Sequence, residues 1–265
     1  MKFSLALIAA VLPFISAATL ERRAWTLPPV NGIFDYQLGG SYAPNTNVAV
    51  LTRDSSASGL AGKYNICYVN GFQTQPQDKQ WWQTNHPNLL LKKANGQLFE
   101  DPDWPGEFFL DTRTAANRVA LTAVMGPRYV DGCAQRGFQA IEIDNLDTFW
   151  RAPGLITMDH NIAYATLLTK YAHDKGLAVG QKNAMELGAR GKNEAKFDFV
   201  VAENCQEWNE CQDYMDVYGN NMISIEYNRS YFDASCKARG SKISIVLRDR
   251  LVVPKGKSGY VYDQC

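Results

Sequence analysis

The stretch Ala140-Ile141-Glu142-Ile143-Asp144-Asn145-Leu146-Asp147 is an apolar strand pattern that ends in a cluster of carboxylates. Acids rarely occupy a strand interior unless a site uses them, because burying a charge without a partner is costly. In an extended chain residues two apart share a face, so Glu142 and Asp144 point one way while Ile141 and Ile143 point the other. Phe199-Val200-Val201-Ala202 likewise runs into Glu203, and Ile223-Ser224-Ile225 into Glu226. Three strands finishing in acids are expected to share one site.

Outward from this segment, short β-branched or aromatic runs alternate with longer helical patterns from Gly32 onward, the signature of repeated strand-helix units around a parallel sheet. About eight strands are expected: Ile33 to Gln37, Val48 to Leu51 or the nearby Tyr64 to Val69, Phe108 to Asp111, Ala140 to Asp144, Ala178 to Lys182, Phe199 to Ala202, Met222 to Tyr227 and Ile243 to Leu247. The clearest helices run from Thr114 to Gln135, Asp159 to Lys175 and Tyr231 to Arg239. Gly176 and Gly137 sit where a helix must end in a left-handed cap just before a strand. No Gly-rich phosphate loop appears, so a closed (β/α)8 TIM barrel is favoured over an open nucleotide-binding sheet. Barrel chemistry sits at the C-terminal strand ends, where the polar residues here are Asp35, Tyr68, Asp111, Asp144, Lys182, Asn183, Glu203 and Glu226. The long segment Gly71 to Pro105, rich in Gln, Asn, Pro and Trp, reads as an extended loop that could roof the cleft.

The N-terminus bears on the compartment. Lys2 precedes an apolar run from Leu5 to Ile15, and Ser16-Ala17-Ala18 supplies small residues for cleavage, so residues 1–18 read as a signal peptide and the product is expected to be secreted. Glu21-Arg22-Arg23 reads either as a dibasic processing site closing a short propeptide over 19–23 or as a charged stretch of ordinary linker. One barrel domain over 24–265 follows. The whole chain carries 27 basic and 27 acidic residues, and removing three bases (Lys2, Arg22, Arg23) with one acid (Glu21) leaves a balance near −2. No basic footprint for nucleic acid remains. No later apolar run approaches the roughly 18 residues of a membrane helix, so no membrane partner is expected, and the chain is read as a monomer. The even set Cys67, Cys133, Cys205, Cys211, Cys236 and Cys265 reads as disulfides in an oxidising route. Cys205 and Cys211 are close enough for a local bridge and Cys265 would tie down the C-terminus; spacing alone leaves the pairing open. Asn228-Arg229-Ser230 fits a glycosylation acceptor.

Glycoside hydrolysis needs one protonated carboxyl to donate to the leaving oxygen and one ionised carboxylate to attack the anomeric carbon or activate water. Asp144 and Glu203 are the candidate pair, since strands two apart can set carboxyls across a narrow mouth. Crowding by Asp144, Glu142 and Asp147 is expected to disfavour proton loss from Glu203 and keep it an acid. Structural roles compete for each: Asp147 as a helix cap, Glu142 as a partner of Lys182, Glu203 as an ordinary loop acid. Tyr36, Tyr68, Trp81, Trp82, Trp104, Trp150 and Tyr227 fall at strand ends or in loops and could stack on sugar rings or seal the rim. His86, His160 and His173 are scattered without metal-site spacing, so neither metal nor cofactor is expected. No G-x-S-x-G elbow suggests a nucleophilic serine.

Taken in order, Phe34-Asp35-Tyr36-Gln37-Leu38-Gly39-Gly40, Ile66-Cys67-Tyr68-Val69-Asn70, Trp104-Pro105-Gly106-Glu107-Phe108-Phe109-Leu110-Asp111, Ile143-Asp144-Asn145-Leu146-Asp147, Gln181-Lys182-Asn183, Ala202-Glu203-Asn204-Cys205 with Cys211, and Ile225-Glu226-Tyr227 resemble the secreted endo-α-1,4-polygalactosaminidase family of glycoside hydrolases, a TIM-barrel family. The likeness covers nearly the whole mature chain. It implies endo-cleavage of a galactosamine-containing polysaccharide, with the strand-four aspartate and strand-six glutamate, here Asp144 and Glu203, as catalytic pair. Two departures stand out: Gly71-Phe72-Gln73 where many members carry a glutamate, and Glu142 where others have an uncharged residue. Free galactosamine is cationic, and a rim bearing Asp35, Asp111, Glu142, Asp147 and Glu226 would attract it. A carbohydrate-binding barrel without catalysis, and a hydrolase of another α-linked amino-sugar polymer, are the alternatives.

Overall fold

The computed structural model describes residues 25–265. The expected signal peptide and propeptide lie outside them. Eight parallel strands follow one another around a barrel: β1 (Phe34–Gln37), β2 (Val50–Asp54), β3 (Tyr64–Val69), β4 (Ala140–Ile143), β5 (Ala178–Lys182), β6 (Phe199–Glu203), β7 (Met222–Glu226) and β8 (Ser244–Arg248). A short ninth strand, β9 (Tyr262–Gln264), adds antiparallel to β8. β1 lies beside β8 without a ladder between them, so the barrel is nearly closed. At that seam the Tyr262 hydroxyl donates to the Phe34 carbonyl (3.2 Å).

The eight-strand count holds, with one substitution. Both Val50–Asp54 and Tyr64–Val69 are barrel strands, whereas Phe108 to Asp111 is not. That segment makes isolated antiparallel bridges within the long excursion between β3 and β4, with Gln73, Leu90 and Glu100. Its run of buried apolar residues satisfies a loop core as well as a sheet, so periodicity alone cannot separate the two. Residues 71–105 also contain more regular structure than expected, including α1 (Lys79–Asn85).

The helices that follow are α2 (Ala115–Met125), α3 (Asp131–Gln135), α4 (Thr148–Arg151), α5 (Met158–Asp174), α6 (Gly188–Asn193), α7 (Cys211–Tyr218) and α8 (Arg229–Arg239). The expected helix from Thr114 to Gln135 is α2 and α3 joined by a wider π-type turn over Gly126–Val130. Thr157 starts α5 by accepting from the His160 N–H, which satisfies one of the free donors of a helix start and contributes about 1 kcal/mol. Gly176 ends the segment at φ +77°, a conformation open to glycine at no steric cost. No helix among the described residues is long and apolar enough to cross a membrane.

The strand register sorts side chains into two shells. Phe34, Tyr36, Ile66, Phe199, Val201 and Ile225 are among those that fill the barrel. Ile141, Ile143, Val179, Val200 and Leu247 pack outward in the larger cluster between the sheet and the helices. No helix follows β1 or β2. There the outer face is polar, with Arg53 donating to Gln37 (2.9 Å) and Gln37 to Asp35 (2.9 Å). Disulfides join Cys67 to Cys133, Cys205 to Cys211 and Cys236 to Cys265. The first closes 66 residues and ties β3 to α3, an effect of about 4 kcal/mol on chain entropy.

Candidate active site

Side-chain alternation from β3 to β7 delivers Tyr68, Glu142, Asp144, Lys182, Glu203 and Tyr227 to the inside of the barrel at its C-terminal mouth. Lys182, 2 % exposed, is the centre of this group: its ammonium lies 2.9 Å from Glu203 Oε2 and 3.5 Å from Asp144 Oδ2. Those two carboxylate oxygens are therefore no farther apart than about 6.4 Å, the sum of the two contacts. Asp144 also accepts from the Tyr68 hydroxyl (2.7 Å) and from the Asn145 N–H (2.8 Å). Glu203 accepts from Asn183 Nδ2 (3.1 Å) and from the Tyr227 hydroxyl. Burial and the neighbouring carboxylates push Tyr36, Tyr68 and Tyr227 well above the ordinary tyrosine pKa, so all three stay neutral donors.

The expected protonation of Glu203 by crowding is corrected by this geometry. Burial works to raise its pKa, but Lys182 and the hydrogen bonds from Tyr227, Lys182 and Asn183 outweigh it and hold the carboxyl below its ordinary value. The crowding falls on Glu142 instead. That side chain lies fully buried beneath the mouth, accepting from the Tyr36 hydroxyl (2.9 Å), with Oε2 unpartnered among the described residues. Burial pushes it up to about 8, Asp144 and Glu203 adding to the rise against the pull of Lys182.

Three asparagines form a second ring. Asn145, Asn183 and Asn204 each follow a polar strand-end residue and adopt φ of 63°, 48° and 54°. Asparagine tolerates this left-handed region better than other side chains with a Cβ, and here it turns the chain off the barrel. Each also ties its strand to a neighbour: Asn145 donates to Asn70 after the preceding strand (2.7 Å), while Asn183 accepts from the Glu203 N–H (2.8 Å) and Asn204 from the Tyr227 N–H (3.1 Å) of the following ones. Only Asn183 was expected at the site. The repeated Asp-Asn, Lys-Asn and Glu-Asn at strand ends is the signal that could have found the others.

A cavity of about 440 Å³ opens above these groups, lined by Tyr36, Tyr68, Asp144, Asp147, Lys182, Asn183, Glu203 and Tyr227 together with Asp54, Asn70, Trp104, Glu107, Arg151 and Arg250. Asp147 pairs with Arg151 (2.7 Å), which leaves its side chain out of the helix cap it could have made. Glu107, absent from the sequence reading of the site, accepts from Asn70 (2.8 Å). Burial pushes it up to about 7, partly opposed by that hydrogen bond.

Three expected rim acids lie elsewhere. Asp35 faces outward at the β1/β8 seam, held by Gln37, Tyr42 (2.7 Å) and Arg248 (3.4 Å). Asp111 grips Arg113 through two 2.8 Å bonds before α2. Glu226 points outward beneath the Cys205–Cys211 loop, accepting from the Gln206 N–H and Ser224 hydroxyl, both at 3.0 Å. Trp82 is buried in the core, and Trp81 packs on Arg128. One trio of metal-ligand types comes together among the described residues, Cys205, Cys211 and Glu226. Its two sulfurs are joined to each other, so the thiolates that bind metal are lacking.

The profile of glycoside-hydrolase family GH114 matches residues 15–265. The structure of Aspergillus fumigatus Ega3 in complex with galactosamine superposes with a TM-score of 0.70 at 21% identity, over 91% of this chain and 98% of that one. The glycoside hydrolase domain of PelA from Pseudomonas aeruginosa superposes with a TM-score of 0.58 at 12% identity, over 85% of this chain and 98% of that one. None of the curated protein sequences matches.

Proposed function

From the premise that the chain belongs to glycoside-hydrolase family GH114, we propose that it is a secreted enzyme cleaving internal α-1,4 linkages in galactosamine-containing polysaccharide, with Asp144 as nucleophile and Glu203 as general acid. One observation carries the reading: Asp144 and Glu203 face each other across Lys182 at the mouth of the barrel. Glu203 gives its proton to the glycosidic oxygen while Asp144 attacks the anomeric carbon, breaking the linkage and forming a glycosyl ester. Glu203, now ionised, takes a proton from water, whose oxygen displaces Asp144. The two oxygens that contact Lys182 lie within about 6.4 Å of each other, a bound that accommodates the ~5 to 5.5 Å carboxyl spacing of retaining enzymes.

The galactosamine bound in the Ega3 structure supports the substrate class. So does the charge of the cleft, where Asp54, Glu107, Asp144, Asp147 and Glu203 meet only Lys182, Arg151 and Arg250. Three disulfides and an exposed Asn228 acceptor fit export through an oxidising, glycosylating route. Every residue in the mechanism comes from one chain, so a monomer suffices. The test is mass spectrometry of fragments released from defined galactosamine polymers. Wild-type protein should release internal fragments, whereas Asp144→Asn and Glu203→Gln should keep the fold and release almost none. Near-normal release by both variants overturns the assignment.

Glu107 supports a second reading, because a carboxyl that keeps its proton up to about pH 7 lines the same cavity. If it were the donor, Glu107→Gln would abolish turnover while Glu203→Gln retained part of it.

A further inference from the structure

A second cavity of about 530 Å³ continues from the first, and its lining includes Glu203, Asn183 and Tyr227 but not Asp144. Its walls hold Trp150 and Trp208, 61% and 64% exposed, together with Trp104, 51% exposed and shared with the first cavity. Indole faces this large are seldom left in water without a use, and stacked sugar rings suit them. Glu186 and Glu210 complete the wall, and neither has an ion-pair or hydrogen-bond partner for its carboxylate among the described residues. Burial, with Glu186 and Asp213 nearby, raises the Glu210 pKa, as expected of an acid with no counter-ion. Arg250 is the one cation in this lining. A third cavity of about 440 Å³ shares Leu38, Gly39, Asp54 and Gln75 with the central one and no lining residue with the tryptophan cavity. Its remaining wall is uncharged, made of Gln37, Gly40, Ser41, Ser56, Ala57 and Gln77.

A polymer lying across Asp144 and Glu203 has the tryptophan cavity and the third cavity adjoining the central one as room for its two arms. Glu203 protonates the departing oxygen, so the fragment that departs lies on the side Glu203 shares, the tryptophan side. We propose that the cavity walled by Trp104, Trp150 and Trp208 and edged by Glu186 and Glu210 binds free, cationic galactosamine units of the leaving fragment, while the Gln- and Ser-lined cavity accepts charged and uncharged units alike. This rests on the glycosidase reading and on Glu203 as its acid. An acetylated unit carries no ammonium, so against Glu186 and Glu210 it loses the charge pairing and leaves two carboxylates unneutralised.

The experiment is digestion of a partly acetylated α-1,4-galactosamine polymer in ¹⁸O-water, which labels each new reducing end, followed by sequencing of the fragments by mass spectrometry. The new non-reducing ends should be free galactosamine almost throughout, whereas the units behind each labelled reducing end, which reach the Gln- and Ser-lined cavity, should be of both kinds. Glu186→Gln with Glu210→Gln should raise KM for the fully free polymer about tenfold with kcat little changed, and should make the non-reducing ends mixed. Trp208→Ala should raise KM for free and acetylated polymers alike. Wild-type non-reducing ends that mirror the polymer composition overturn the inference while leaving the glycosidase intact, as does a double variant with unchanged KM and unchanged ends. If wild-type protein releases no fragments, the underlying function falls and the inference with it.

Discussion

Glu203 and Glu226 close adjacent strands and read alike, each a glutamate after a short apolar run, yet the barrel puts them to opposite uses. The ladder sets Glu203 opposite Ile225, so Glu226 lies one residue further on and faces the other shell. Inside, Glu203 meets Lys182, Asn183 and Tyr227, and those groups together hold it below its ordinary pKa against burial. Outside, Glu226 meets the Gln206 N–H and the Ser224 hydroxyl, and burial prevails, raising its pKa. The lesson is one of parity. A strand-end carboxylate reaches the cleft when its register points inward, and at Glu203 the pull of the lysine in the same inner row, with the hydrogen bonds beside it, outweighs burial.

The strongest way to break this contrast is to substitute both glutamates. Glu203→Gln should lower kcat/KM on galactosamine polymer by about 10³-fold or more, with an unchanged melting temperature to within a few degrees. Glu226→Ala should do the reverse. It leaves the Gln206 N–H and Ser224 hydroxyl without their buried partner, a loss of about 1 to 3 kcal/mol in denaturant unfolding, with activity retained. Activity lost in the second variant at full stability would undo the distinction between the two faces.

A smaller effect sharpens the role of the inner lysine. A general acid works only while protonated, and Glu203 is held below the ordinary carboxylate range, so kcat/KM should be highest on the acid side and fall as pH rises through that lowered value. Lys182→Met removes the cation, so burial and the Asp144 charge should move the falling limb of the pH profile upward by about one to three units. A limb that stays put, or moves down, would show that Lys182 does not set the proton affinity of Glu203.

The smallest expected effect concerns the floor. Folded Glu142 keeps its proton up to about pH 8, whereas an unperturbed glutamate loses it near 4.5. Between those values the folded state holds a proton the unfolded chain has released, so stability should fall as pH rises across that window. Glu142→Gln keeps the acceptor for Tyr36 and removes the titration, so its melting temperature should decline less between pH 4.5 and 8 than that of the wild type. Parallel curves would mean that the proton is shared with the rest of the inner row.

Much of this arrangement was legible in the chain itself. Local pattern was enough for the strand Ala140 to Ile143, for the helix that ends before Gly176, and for Glu142 and Asp144 sharing a face, because alternation and left-handed caps depend only on neighbours in sequence. The inward pair Asp144 and Glu203 could be named for the same reason. What the pattern could not say was which way each isolated acid would face, since Asp35 and Glu226 turn on a one-residue register between strands. Nor could it say that Phe108 to Asp111 stays in a loop, or that Glu107 and Trp208 come to the cleft. Those choices belong to the tertiary structure: they arise when distant segments pack, and the energy that decides them, the pairing of Lys182 with two carboxylates or the burial of a loop core, exists only once the barrel brings the partners together.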